Sequence, residues 1–163
     1  RGFVGGLDLM ARGVAGKNCL VIGCGPVGLE AAAALIEREA KLTLFDRDTA
    51  RLHKGLETLK KQYTGTIRPA LDLETACLEN RLILEATNSA GVIPARAVGP
   101  ETFIAAPGMP LGLEPKGVDR AGARLLHDPL QIGTVTMLVT IAHEQKNTGQ
   151  EILSEKSRTL QSH

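Results

Sequence analysis

The residues best placed to do chemistry in this chain stand in a few short stretches. Gly23, Gly25 and Gly28 form a Gly-x-Gly-x-x-Gly within Gly23-Cys24-Gly25-Pro26-Val27-Gly28. Asp46 and Arg47 follow the run 41–45, Ala86 ends the run 82–86 and Thr87-Asn88-Ser89 follow it, and Pro107-Gly108 come just after the run 102–105. Asp128 stands before Pro129 at the head of a last apolar region. The glycine spacing suits a turn between a strand and a helix. Its first glycine permits the turn, the second lets backbone approach a phosphate, and the third allows close helix–strand contact. Pro26 and Val27 complete that loop. The helix start leaves amide hydrogens without partners, and these and the aligned peptide dipoles favour a bound anion. Asp46 arrives where a second strand ends, where a carboxylate accepts hydrogen bonds from ribose hydroxyls. The two signals together predict a dinucleotide site. Asp46 favours NAD, while the basic Arg47 beside it keeps a 2′-phosphate, and so NADP, open.

These residues need elements to hold them. Residues 19–22 read as the first strand and 29–35 as the helix after the glycine loop. Residues 41–45 form a second strand. Asp48 caps a helix running to about residue 63, with Leu52, Leu56 and Leu59 as its inward stripe and Arg51, Lys54, Lys60 and Lys61 facing out. Residues 66–68 make a weak strand ended by Pro69, and 72–78 a short helix whose acidic first turn suits its positive end. Residues 82–86 are a firm strand, 92–98 a short helix or turn interrupted by Pro94, and 102–105 a fifth strand. The Gly- and Pro-rich stretch 111–122 reads as loop with at most one turn of helix. Residues 123–127 follow as a sixth strand, 128–133 as a connection, and 134–142 as an apolar helix suited to cover by a further domain or a second copy in a homodimer.

The order predicts a Rossmann-like, doubly wound, mostly parallel sheet of about six strands in a three-layer α/β/α arrangement. The domain is placed at 18–147, after a glycine-rich lead-in at 1–17 in which Leu7, Leu9, Met10 and Val14 could form a short apolar helix face. A polar tail follows at 148–163, either frayed or a second small helix.

Composition narrows the function classes. The 163 residues are 43% hydrophobic and 23% charged with a formal net charge of +1, a balance that gives no steering toward nucleic acid. Phe3, Phe45, Tyr63 and Phe103 are too few to stack many bases. No apolar run is long enough to cross a bilayer. Cys19, Cys24 and Cys77 match no metal spacing and read as buried thiols, which fits a reducing, cytoplasmic setting. Cys24 lies in the glycine loop, where amide hydrogens could lower its pKa.

Three loops, 23–28, 87–91 and 106–110, converge on the carboxyl edge of such a sheet, and 128–134 falls beside them. Asn88, Ser89 and the backbone near Gly108 would line the nicotinamide side, although Thr87, Asn88 and Ser89 also suit a turn bonding its own backbone. Asp128 could receive a proton or hold a substrate ammonium group, or simply precede a proline in a turn. His127 is a candidate base or a residue packed behind the sheet. No histidine and carboxylate pair has metal spacing, so hydride transfer without a bound metal is expected.

Four stretches carry a further resemblance. They are Leu20-Val21-Ile22-Gly23-Cys24-Gly25-Pro26-Val27-Gly28, Glu85-Ala86-Thr87-Asn88-Ser89-Ala90-Gly91-Val92-Ile93-Pro94, Ala106-Pro107-Gly108-Met109-Pro110 and Asp128-Pro129-Leu130-Gln131-Ile132-Gly133-Thr134-Val135-Thr136-Met137-Leu138. In this order the chain resembles the pyrrolysine synthase family over about residues 10–141. The resemblance implies an NAD-dependent enzyme that oxidises the terminal amine of a lysine–methylornithine isopeptide to an aldehyde, with loss of ammonia and cyclisation. It also implies an amino-acid-derived small-molecule substrate and an N-terminal substrate domain outside these residues. Asp128 stands where the family has a glutamate near the substrate, and Gln131 where it has a glycine. Another NAD(P)-dependent amino-acid or alcohol dehydrogenase, or an NAD(H)-sensing domain, shares the first of these stretches.

Overall fold

In β1 (Asn18–Ile22) the side chains of Cys19 and Val21 go to one face of the sheet and those of Leu20 and Ile22 to the other, all of them buried. A strand apolar on both sides has to sit inside a sheet covered on both faces. The computed structural model, which describes residues 1–127, places it so. Around β1 lie β2 (Lys41–Phe45), β3 (Ile67–Pro69), β4 (Leu82–Glu85), β5 (Phe103–Ala105) and β6 (Leu125–Leu126). The six strands run in the order β3-β2-β1-β4-β5-β6, and every neighbouring pair is parallel. Pro69, which has no amide hydrogen to give, is tolerated because β3 is an edge strand.

The helices divide between the two faces. α1 (Gly2–Met10), α2 (Pro26–Ile36) and α3 (Thr49–Gln62) share a buried cluster with Cys19, Val21, Leu42, Leu44, Leu82 and Leu84. α4 (Leu73–Glu79), a single 3-10 turn at Ala95–Ala97 and α5 (Pro115–Ala121) share the opposite cluster with Leu20, Ile22, Ile83 and Ile104. The result is the three-layer Rossmann arrangement. α3 shows why local sequence suffices for much of it. Asp48 accepts a hydrogen bond from the Arg51 amide and so satisfies an orphan donor, and Leu52, Leu56 and Leu59 are buried at intervals of four and three. Asp72 caps α4 in the same way through the Thr75 amide.

Three readings change. The expected apolar helix face of the lead-in buries Val4 and Leu7, with Ala11 and Val14 after the helix in the same cluster as β1; of the residues assigned to that face, Met10 is only partly buried and Leu9 is half exposed. The stretch 111–122 holds α5, seven residues long, begun by Pro115 at its first turn, where the fixed φ suits a helix. The sixth strand shortens to Leu125–Leu126, since Gly122–Arg124 forms a 3-10 turn. Asp128, the connection 128–133, the apolar stretch 134–142 and the tail 148–163 lie outside the described residues. No described helix is long and apolar enough to cross a membrane.

Candidate functional site

β1 and β4 are neighbours, yet the connections from β1 and β2 cover one face and those from β4 and β5 cover the other. A crevice must open where the crossovers part, at the carboxyl ends of these strands. A cleft of about 530 Å³ lies there. Its walls bring together Gly23, Gly25 and Val27 from the first loop, Asp46, Arg47 and Arg51 beyond β2, Ala86, Thr87, Asn88 and Ser89 beyond β4, and Pro107, Gly108 and Met109 beyond β5. Pro26 and Gly28 stand at the start of α2 and are not on the wall.

The three glycines of the loop do different work. Gly23 has φ +98°, and a Cβ there would come within 2.9 Å of the Ala86 carbonyl oxygen. A Cβ on Gly28 would stand 1.8 Å from the Gly23 carbonyl oxygen, so the helix start closes onto the turn only because no side chain intervenes. Gly25 is unlike both. Its φ of −74° is open to any residue, and a Cβ there would meet nothing within 4 Å. The fold itself therefore makes no demand for glycine at 25, and a side chain would only take up space in the cleft. Gly25 is also the N-cap of α2, with no side chain capping the helix. The first-turn amides and the positive end of the dipole are left to an anion from outside. A dinucleotide's pyrophosphate fits this cradle.

At the end of β2, Asp46 is only 7% exposed. Oδ2 accepts a hydrogen bond from the Cys24 amide at 2.8 Å and Oδ1 one from the Asp48 amide at 2.9 Å, tying the second strand to the glycine loop. Arg51, exposed as its place on the outer side of α3 predicts, also lines the cleft and stands 3.7 Å from Asp46 and 3.5 Å from Asp48. The placement follows from its being three residues beyond the cap Asp48, on the same side of the first helical turn.

Cys24 corrects another expectation. Its thiol is buried, and burial followed by the nearby Asp46 charge pushes it up to about 12 rather than down. Burial also pushes Cys19 and Cys77 up to about 12. His127 follows β6, with Nδ1 2.8 Å from the Ala106 carbonyl oxygen, and it is not on the cleft wall. Asp128 lies outside the described residues. Among the described residues no cluster of three His, Cys, Asp or Glu side chains is arranged to hold a metal.

Sequence reasoning passed over Glu85. It ends β4 on the side of Ile83 and is fully buried. Its Oε1 accepts hydrogen bonds from the Thr87 amide at 2.6 Å and the Thr87 hydroxyl at 2.5 Å, and Oε2 has no well-formed hydrogen bond. Gly108 and Gly112 close on the carboxyl; their Cβ atoms would come within 2.7 Å of Oε2 and 2.3 Å of Cδ respectively. Burial pushes the Glu85 carboxyl up from its ordinary value, opposed by the Thr87 hydrogen bonds, the Gly112 amide and the His127 charge. The available signal was an acid in the last place of an otherwise aliphatic strand.

Comparison with known proteins bears on the family and the fold. The chain is 29% identical over 125 residues to pyrrolysine synthase of Methanosarcina acetivorans, an alignment covering 77% of this chain and 45% of that protein. The chain thus spans less than half the length of this curated relative. Among solved structures it is similar to the nucleotide-binding domain of glutamyl-tRNA reductase from Thermoplasma volcanium, with TM-score 0.63 and 18% identity over 88% of this chain and 96% of that one. It is also similar to quinate dehydrogenase from Corynebacterium glutamicum in complex with NAD, with TM-score 0.59 and 17% identity over 77% of this chain and 49% of that one. At such identities these structures establish the shared fold. A family model, NAD_binding_7 ("Putative NAD(P)-binding"), matches residues 10–96. With more than half of its length matched, and with a glycine loop opening onto the crevice of a Rossmann sheet, the chain belongs to this family of NAD(P)-binding domains.

Proposed function

We propose that this domain is the NAD-binding part of a dehydrogenase that oxidises a carbon bearing an amine or hydroxyl in a small, amino-acid-derived substrate. The observation that carries the reading is Gly25, a glycine with no internal reason to be one, set at an uncapped helix start on the wall of the crevice at the carboxyl ends of the strands. In this reading the backbone at Gly23, Gly25 and Val27 holds the pyrophosphate, with Pro26 and Gly28 shaping the loop. Asp46 takes the adenosine ribose. Ala86, Thr87, Asn88, Pro107 and Gly108 flank the nicotinamide half. Arg51 is already engaged by Asp46 and Asp48, which leaves Arg47 as the cation for a 2′-phosphate and favours NAD. The bound oxidised cofactor supplies a hydride acceptor.

Within that class, the relation to pyrrolysine synthase supports oxidation of the terminal amine of a lysine–methylornithine isopeptide to an aldehyde that cyclises. Asp128 would then hold the substrate ammonium and stabilise the positive charge that develops as hydride leaves. A broader amino-acid or alcohol dehydrogenase activity is equally served by the fold shared with quinate dehydrogenase. The test is incubation of the intact protein with NAD and the isopeptide, with simple amino acids and alcohols in parallel, following NADH absorbance and product mass. Isopeptide-dependent NADH formation supports the amine reading. Turnover of the simpler substrates alone supports the broader one, and none with any substrate contradicts both. Asp128→Asn is expected to slow amine oxidation about a hundredfold or more, within the usual range for an acid–base group, with NAD affinity unchanged. Wild-type turnover would remove Asp128 from the mechanism.

A further inference from the structure

We infer that Thr87 and Glu85 form a proton relay beneath the nicotinamide half of the cleft, in which the Glu85 carboxylate takes up, through the Thr87 hydroxyl, the proton a substrate loses on oxidation. The inference rests on the dehydrogenase reading above and applies to an amine or an alcohol alike.

Removing hydride from a carbon that bears N–H or O–H also frees a proton from the heteroatom, and that proton needs an acceptor near the cleft. Thr87 is on the cleft wall, and its hydroxyl donates to Glu85 Oε1 at 2.5 Å. The Ser89 amide donates to Thr87 Oγ1 at 3.2 Å, fixing the hydroxyl and leaving it one further lone pair. A proton arriving at that lone pair forms a bond to Oγ1 as the substrate N–H or O–H bond breaks. The original hydroxyl proton then passes to Glu85 Oε1. Thr87 ends unchanged, the carboxylate ends as a carboxylic acid, and the hydride is accounted for by NAD⁺ reduction.

Glu85 has the features such a store requires. It is fully buried, its Oε2 has no well-formed hydrogen bond although the Gly112 amide acts on the carboxyl, and Gly108 and Gly112 leave no room for anything larger than hydrogen against it. A buried carboxyl with an oxygen so weakly satisfied favours its neutral form, in line with the upward shift that burial imposes. The oxidised nicotinamide carries a positive charge that the reduced ring lacks. Bound above Thr87, that charge favours an ionised Glu85 before the reaction, and its loss afterwards favours the protonated one. His127 is the other titratable group whose charge acts on Glu85 among the described residues, so the test has to separate the two.

The experiment is calorimetric titration of the intact protein with NAD⁺ and with NADH, in buffers of differing ionisation enthalpy, for wild type, Glu85→Gln and His127→Gln. The expected result is proton release on binding NAD⁺ and markedly less on binding NADH, a difference lost in Glu85→Gln and kept in His127→Gln. Infrared difference spectra of the wild-type NADH and NAD⁺ complexes give a mutation-free reading, with protonated-carboxyl absorption gained in the NADH complex. Binding of both cofactors with equal proton release, persistence of the difference in Glu85→Gln, or no gain of carboxyl absorption would overturn the relay alone. Binding of neither cofactor by wild type would overturn the cofactor reading and the relay with it.

Discussion

Asp46 does two things with one carboxylate: it holds the Cys24 and Asp48 amides, and its position at the end of β2 suits a ribose diol. Asp46→Ala removes both, and is expected to weaken NAD binding about tenfold, equivalent to about 1.4 kcal/mol. The same change should narrow the preference over NADP, because Arg51 then loses one of its two carboxylate partners and the cleft beside Arg47 loses a negative charge. Titration with both dinucleotides checks this, and an unchanged NAD affinity would contradict the ribose role. Glu85 makes a prediction about stability. Its carboxyl holds a proton more tightly in the fold than in the unfolded chain. Between the ordinary carboxylate value and the raised one, the native state therefore binds more protons, and stability falls as pH rises through that window. Glu85→Gln should flatten this fall in urea unfolding measured across the window; an unaltered slope would assign it to another group. The two residues also differ in how visible they were. Asp46 announces itself by its place after an apolar strand, whereas Glu85 looks like the polar end of one, and only the packing of Gly108 and Gly112 shows it to be enclosed.

At the scale of elements, the contact between the first turn and α2 is the most demanding. A methyl group on Gly28 would lie 1.8 Å from the Gly23 carbonyl oxygen, a contact with backbone that no rotamer relieves. Gly28→Ala is expected to cost on the order of 3 kcal/mol, the upper part of the range for overpacking, and to lower the melting temperature. A melting temperature equal to wild type would contradict the close approach. The helices and strands with strong local signals were legible. α3 and α4 have Asp caps, and β1, β2 and β4 are dense in aliphatic residues. In α1 the inward face differs from the one read from the sequence because a glycine, Gly6, shares it with Val4 and Leu7, while the large apolar residues Leu9 and Met10 are not buried. α5 was missed because Gly112, Pro115 and Gly117 read as breakers, although Pro115 starts the helix and Gly117 packs against Leu113.

For the whole molecule, the sheet order places the crevice where the direction of winding reverses, and this much followed from the alternation of strands and helices along the chain. The convergence of the loops after β1, β4 and β5 followed as well. What sequence could not supply was the arrangement around the crevice: Arg51 beside Asp46, a Cys24 thiol raised where the loop amides suggested a lowered one, and a carboxyl sealed below Thr87. Those depend on tertiary contacts between segments far apart in the chain. The central claim is that the amides around Gly25 cradle a pyrophosphate, and Gly25→Val tests it most directly, since the position has ordinary backbone angles and nothing within 4 Å. Calorimetric titration of NAD into wild type and Gly25→Val, with thermal melts of both, should show binding weakened at least about a hundredfold, equivalent to about 2.8 kcal/mol, in a variant that still melts cooperatively as a folded domain, with only the small loss expected from a poorer N-cap. A variant that binds NAD as tightly as wild type would contradict the account.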